Sequence, residues 1–135
     1  MKTKLVMMVL WLGSVATTQA EDLTVIIKKV NGGGKIRVSL FDSEDNFLKK
    51  GKQAIETVDT TDSMTVIFRD VKPGIYAVSA IHDKNGNGQL DKASYGKPIE
   101  PYGFSNDARG LFGPPSFEES AFEVKTNQTI TINLK

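Results

Sequence analysis

Between residues 83 and 91 the chain reads Asp-Lys-Asn-Gly-Asn-Gly-Gln-Leu-Asp, which sets oxygen-bearing side chains at alternate positions and a glycine in the sixth place. A short loop wraps a hard cation in this way, because every second side chain turns inward and the glycine permits the sharp bend. With Asp83 as the first position, the ligands are the side chains of Asp83, Asn85, Asn87 and Asp91 and the carbonyl of Gln89. The twelfth position, where a helix-loop-helix calcium site has a bidentate glutamate, is Ser94. Two carboxylates are few for calcium, so water or a distant carboxylate must complete the shell; Glu100, Asp107, Glu118 and Glu119 are the candidates. The affinity expected of such a site is that of extracellular modules, with Kd on the order of 10⁻⁴ to 10⁻³ M. The plainer alternative is a chain reversal in which Asp and Asn bond their own backbone.

Other chemistry is sparse. His82 is the single histidine and precedes the loop at the end of an apolar run, where a packed, hydrogen-bonded role is favoured over catalysis. No serine stands in a Gly-x-Ser-x-Gly setting, and one histidine cannot make a paired-histidine metal motif. The absence of cysteine excludes disulfides, thiolate metal sites and cysteine nucleophiles. Further on, Tyr102, Phe104, Phe112 and Phe117 gather around Arg109 among glycines and prolines. They can form a ligand-binding surface of Tyr102, Phe104, Arg109 and Phe112, with the guanidinium as an anion contact. They can also fold inward as a satellite core with Arg109 paired to Asp107 or a nearby glutamate. The inward reading is favoured, because four exposed aromatics are a liability for a soluble monomer.

The elements that must position these residues are strands. Leu23, Val25 and Ile27 alternate with Thr24, Ile26 and Lys28, and the same period of two returns in Ile36, Val38 and Leu40. Gly32-Gly33-Gly34 between them reads as the turn of a hairpin. Asp42 to Lys52 reads as a loop with one helical turn, and Gln53 to Val58 as a weaker strand. Met64, Val66 and Phe68 mark another, and Pro73-Gly74 turns into a central strand, Ile75 to His82, apolar on both faces. No period is sustained from Asp83 to Glu119, and a loop that long inside a compact domain is functional or self-packed. Ala121 to Lys125 and Thr129 to Leu134 close the domain as two strands, with Asn127 in the turn between them. Lys28-Lys29 and the lysines at 49, 50 and 52 read as guards of edge strands.

Of the 135 residues, the first twenty read as a secretory leader: Lys2 and Lys4, an apolar run from Leu5 to Leu12, then small residues ending at Ala20. That run is shorter than the roughly 20 residues a membrane span needs. Removing it leaves a domain at 21–135, and the 17 basic and 16 acidic residues become 15 and 16. Such a balance gives no general attraction to nucleic acid or to anionic membrane. A periplasmic or secreted monomer with no integral membrane segment after cleavage is expected, with a protein or small-molecule partner in the cell envelope.

The stretches Pro73 to Val78, His82 to Asp91, Pro101 to Asn106 and Phe112 to Phe117 resemble bacterial exported proteins classed as domain of unknown function 2141 (DUF2141), over essentially the whole mature chain. The resemblance implies a signal peptide and one small β-rich domain and brings no established activity. More loosely, Pro-Gly followed by Tyr-x-Val is similar to transthyretin-like and carboxypeptidase-regulatory-like domains, and this bears on fold alone. Transthyretin-like hydrolases use several histidines and a C-terminal Tyr-Arg-Gly-Ser, whereas this chain ends Thr131-Ile132-Asn133-Leu134-Lys135. The fold expected is all-β: a single-domain antiparallel sandwich, immunoglobulin-like or transthyretin-like, of about seven strands with the long loop between the fifth and sixth. The function expected is an exported binding or structural module, with calcium as its one candidate cofactor. The alternatives are a small-ligand carrier using the Tyr102 to Phe117 segment and, less favoured, an envelope hydrolase using His82, Asp83 and Arg109.

Overall fold

The computed structural model describes residues 20–59 and 62–135, so the expected leader lies outside the described residues except for Ala20. Eight strands form along the described chain: β1 (Glu21–Val30), β2 (Lys35–Phe41), β3 (Lys52–Thr57), β4 (Asp62–Val71), β5 (Gly74–Asp83), β6 (Tyr102–Phe104), β7 (Phe122–Val124) and β8 (Gln128–Asn133). The alternation read in the sequence selects the faces. Leu23, Val25 and Ile27 of β1 and Ile36 and Val38 of β2 are fully buried, and they meet Val66, Phe68, Val78, Ile132 and Leu134 in one core.

Two sheets enclose that core, so the molecule is an all-β sandwich. One has the order β4-β1-β8 and the other β3-β2-β5-β6, with β7 also paired to β5. The strand missing from the sequence reading is β6. Three residues are too few to display a period, and its middle residue, Gly103, has no side chain to count. Glycine is required there, since a Cβ would stand 2.5 Å from Ile132 Cγ2. β1 and β8 run parallel, from Leu23 opposite Gln128 to Lys28 opposite Asn133, so the sandwich is antiparallel in all pairings but this one.

The hairpin expected of β1 and β2 does not form, because the two strands belong to different sheets. The triple glycine instead carries the chain across the core from one sheet to the other. Gly33 and Gly34 sit at φ of +98° and +69°, a Cβ on Gly34 would stand 2.5 Å from the Asp83 carbonyl oxygen, and the arch is tied to the end of β3 through Gly33 N to Val58 O and Val58 N to Gly34 O. Local turn chemistry announces a reversal but not which sheet the chain enters next. For the same reason Lys28-Lys29 do not guard an edge, since β1 is the middle strand of its sheet.

β5 positions the site. Its central place gives it β2 along one flank, while β6 pairs with Ser79 to Ile81 and β7 with Gly74 to Tyr76. Between those short partners the Val78 N–H donates to Ser105 Oγ at 2.9 Å, and that hydroxyl also donates to the Ser120 carbonyl. The turn at Ser105–Asp107 and the one-turn helix Phe117–Ser120, closed by a Ser116/Glu119 capping box, are thereby pinned to β5. The long segment after β5 is therefore self-packed at its far end.

Candidate functional site: the loop and groove over the outer face of the second sheet

The loop that follows β5 is anchored at both ends. The His82 N–H donates to the Pro101 carbonyl at 2.9 Å, and the buried Glu100 carboxylate accepts from the backbone of Lys84 at 2.7 Å and of Asp91 at 2.9 Å. Glu100 is thus a brace that closes the loop on itself. From Asp91 to Ile99 the chain makes a small hairpin, held by Ile99 N to Asp91 O and Ala93 N to Lys97 O, with Lys92 opposite Pro98.

Inside the anchored turn the first predicted ligand, Asp83, is fully buried. Its Oδ2 accepts from Arg37 Nε at 2.8 Å and from the Gly88 N–H at 2.8 Å, and its Oδ1 from the Asn87 N–H at 3.2 Å. Burial on its own raises this carboxyl; the Arg37 hydrogen bond, the Gly88 amide, the Arg37 charge and the Asn87 amide outweigh it and hold Asp83 below the usual carboxylate range. Arg37 is the partner the sequence did not disclose, because it lies on β2 opposite Ile81, 46 residues away.

Three of the five predicted ligands, Asn85, Asn87 and Asp91, converge. The Asn85 and Asn87 side-chain amides both donate to the Asp91 carboxylate, Asn87 at 2.6 Å, while their oxygens accept from the Asn87 and Gln89 backbone N–H groups at 3.2 and 3.0 Å. An amide offers nitrogen to a carboxylate and oxygen to a cation by a half-turn about one bond, so Asn85 and Asn87 fit either neighbour. Each half-turn gives up one backbone hydrogen bond, about 1 kcal/mol. Calcium would then find Asp91, two amide oxygens and the free lone pair of Asp83 Oδ1, with the Gln89 carbonyl in reach by position in the loop alone. Among the described residues no group of three or more carboxylate, imidazole or thiolate side chains is gathered to hold a metal ion.

His82 lies with the core. It is fully buried, its Nε2 stands 2.8 Å from the Gly33 carbonyl, and its Nδ1 has no hydrogen-bond partner. Since a carbonyl oxygen can only accept, Nε2 is the donor in this contact.

The aromatic segment divides. Phe104 and Phe117 turn inward and meet Phe47, which itself lies edge-on to Phe41, so a second apolar layer forms outside the core. Phe112 points out with its full surface exposed, as does Leu111 at 93%. The expected pairing of Arg109 with Asp107 or a glutamate is absent. Asp107 is taken by β8, accepting from Asn133 N and Nδ2 at 3.0 and 2.9 Å, and Arg109 lies over the Tyr102 ring at 5.1 Å. That stacking leaves the guanidinium edge uncommitted and fixes the ring beneath it.

Between the Asp91 to Ile99 hairpin and the Gly110 to Pro114 turn lies a groove of about 750 Å³. Ser79 and Ile81 of β5 and Tyr102 and Phe104 of β6 contribute to its lining with Leu48, Leu90, Tyr95, Leu111 and Phe112. A family model described as an uncharacterized protein conserved in bacteria (DUF2141) matches residues 25–132, a span that takes in both sheets, the loop and the groove. The chain belongs to the DUF2141 family. Comparison with curated proteins and with solved structures finds no match.

Three of the four ligand residues read from the sequence of this DUF2141 chain, Tyr102, Phe104 and Phe112, line one groove, and Arg109 stacks on one of them. The three residues of the hydrolase alternative do not share a cleft, since His82 faces Gly33, Asp83 faces Arg37 and Arg109 faces Tyr102. The sequence reading missed Tyr95 and Leu111. For Leu111 a signal existed: Gly-Leu-Phe-Gly-Pro-Pro sets two large apolar residues between turn formers, where no periodic face can bury them.

Proposed function

We propose that this DUF2141 protein is an exported binding module whose ligand site is the groove between the Asp91 to Ile99 hairpin and the Gly110 to Pro114 turn. One observation carries the reading: Leu111 and Phe112 stand on the rim of an apolar groove with nearly all their surface in water. Burying each fully is worth about 1.5–3 kcal/mol, a standing driving force for a ligand that covers them. The groove volume falls within the range of small-molecule sites, and its floor is rigid sheet. Uptake of the apolar fluorophore N-phenyl-naphthylamine tests the proposal. The protein is expected to take up the dye saturably, and the Leu111→Ser/Phe112→Ser double variant is expected to lose that uptake with unchanged thermal stability. Uptake that is absent, or equal in the variant, sinks the reading.

A second element is supported by the way Asn85 and Asn87 converge on Asp91. We propose that calcium binds this turn weakly and stiffens the hairpin that forms one wall of the groove. The charge is small, because Arg37 already neutralises Asp83, so the Kd belongs at the weak end, about 10⁻³ M. Thermal unfolding across a calcium series is expected to rise saturably; at about 100 times Kd the gain is about 2.7 kcal/mol, a shift of several degrees. Asp91→Ala is the variant to use, since Asp83 also holds Arg37. A flat series, or a rise that magnesium reproduces and Asp91→Ala keeps, leaves the turn without a calcium site.

A further inference from the structure

The groove has a sign as well as an apolar floor. Its charged lining residues are Lys92 and Lys97, with no carboxylate among them. Both are exposed, and neither forms an ion pair with a described residue. They stand on the two arms of the same small hairpin, Lys92 opposite Pro98 and Lys97 opposite Ala93, and both contribute to the lining of the groove. The opposite side of the mouth is Leu111 and Phe112. Glycine is what places them there: a Cβ on Gly110 would stand 2.1 Å from the Gly113 oxygen, and Gly113 sits at φ +142°, so the turn is too tight for other residues and throws its two middle side chains outward.

An occupant that satisfies both sides has an apolar body and an anionic head. Resting on the groove reading above, we infer that the ligand is a single-chain amphipathic carboxylate, its aliphatic chain on the β5 and β6 floor under Leu111 and Phe112 and its head beside Lys92 and Lys97. The nearby acids, Asp91 next to Lys92 and Glu100, are turned into the loop, Asp91 toward the Asn85 and Asn87 amides and Glu100 toward the Lys84 and Asp91 backbone, and neither lines the groove. Point-like ammonium groups on flexible stems suit a carboxylate whose position varies with chain length, whereas a bidentate arginine fork would demand one geometry.

Competition against bound N-phenyl-naphthylamine with three ligands of one chain length, dodecanoate, dodecanol and dodecyltrimethylammonium, reads out the head alone. Dodecanoate is expected to displace the dye at about tenfold lower concentration than dodecanol, and the cation to be weakest. That advantage is expected to shrink with added salt, because the ammonium groups are exposed. In the Lys92→Gln/Lys97→Gln variant dye uptake and dodecanol displacement are expected to persist while the dodecanoate advantage disappears. Equal displacement by all three ligands, or an advantage that survives in the variant, overturns the head-group assignment and leaves the apolar groove standing. Failure of the dye itself to bind removes the groove reading and this inference with it. Co-sedimentation with phosphatidylglycerol vesicles without displacement by monomeric dodecanoate overturns the inference in favour of a membrane surface.

Discussion

Asp83 shows how one residue can be read correctly for type and wrongly for duty. The motif presents it as a cation ligand, yet in the fold it is the buried partner of Arg37 and the acceptor of two backbone amides. Asp83→Ala is expected to cost about 3 kcal/mol, because it strips a charged group and two amides of their acceptor. Its pH dependence has a definite sign. The folded carboxyl sits below the ordinary range, so its contribution is complete above about pH 3.9 and fades as pH falls through the folded value. Chemical denaturation from about pH 6 to about pH 2 is expected to show a steep loss of stability in the lower half for the wild type and a flatter one for Asp83→Ala. Equal slopes would mean that other carboxylates govern acid unfolding.

At the scale of elements, the glycine arch between β1 and β2 makes the sharpest claim. Gly33 and Gly34 are adjacent, both at positive φ, yet a Cβ on Gly33 meets open space and one on Gly34 meets the backbone of Asp83 and Lys84. Gly33→Ala is expected to cost about 1 kcal/mol, and Gly34→Ala about 3 kcal/mol or more, measured by equilibrium unfolding. Similar costs for the two would show that the arch yields. This arch also marks where the sequence stops informing. β1, β2, β4 and β8 were legible because their apolar residues recur every second position, as Leu23-Val25-Ile27 do, and β5 because it is apolar on both faces. Their assignment to sheets was not, since the partners of β1 are 32 to 105 residues away and leave no local trace. The site was legible in the same uneven way. Asp83 to Asp91 and the aromatics announce themselves by composition, whereas Arg37 under Asp83 and Lys92 and Lys97 across from Phe112 are brought there only by the folded topology.

Across the whole molecule, the last residues tie the two sheets together. Leu134 is buried in the core, its N–H donates to the Lys28 carbonyl, and Lys135 exchanges backbone hydrogen bonds with Tyr102 on β6. Deleting Leu134 and Lys135 is expected to cost about 2–5 kcal/mol, the range for emptying a leucine site. It is also expected to weaken dye binding, since Tyr102 belongs to both the tie and the groove. Loss of stability with dye binding intact at low temperature would show that the groove floor is held by β5 alone.

The parallel pairing of β1 with β8 gives the fold a mechanical character. The first and last strands lie side by side over six residue pairs, entering at one end of the sheet and leaving at the other. A pull on the two chain ends therefore slides one strand along the other and loads the rungs of that ladder together, where a hairpin's rungs would give way singly. Under force the lifetime of the domain is set by how fast this one ladder shears.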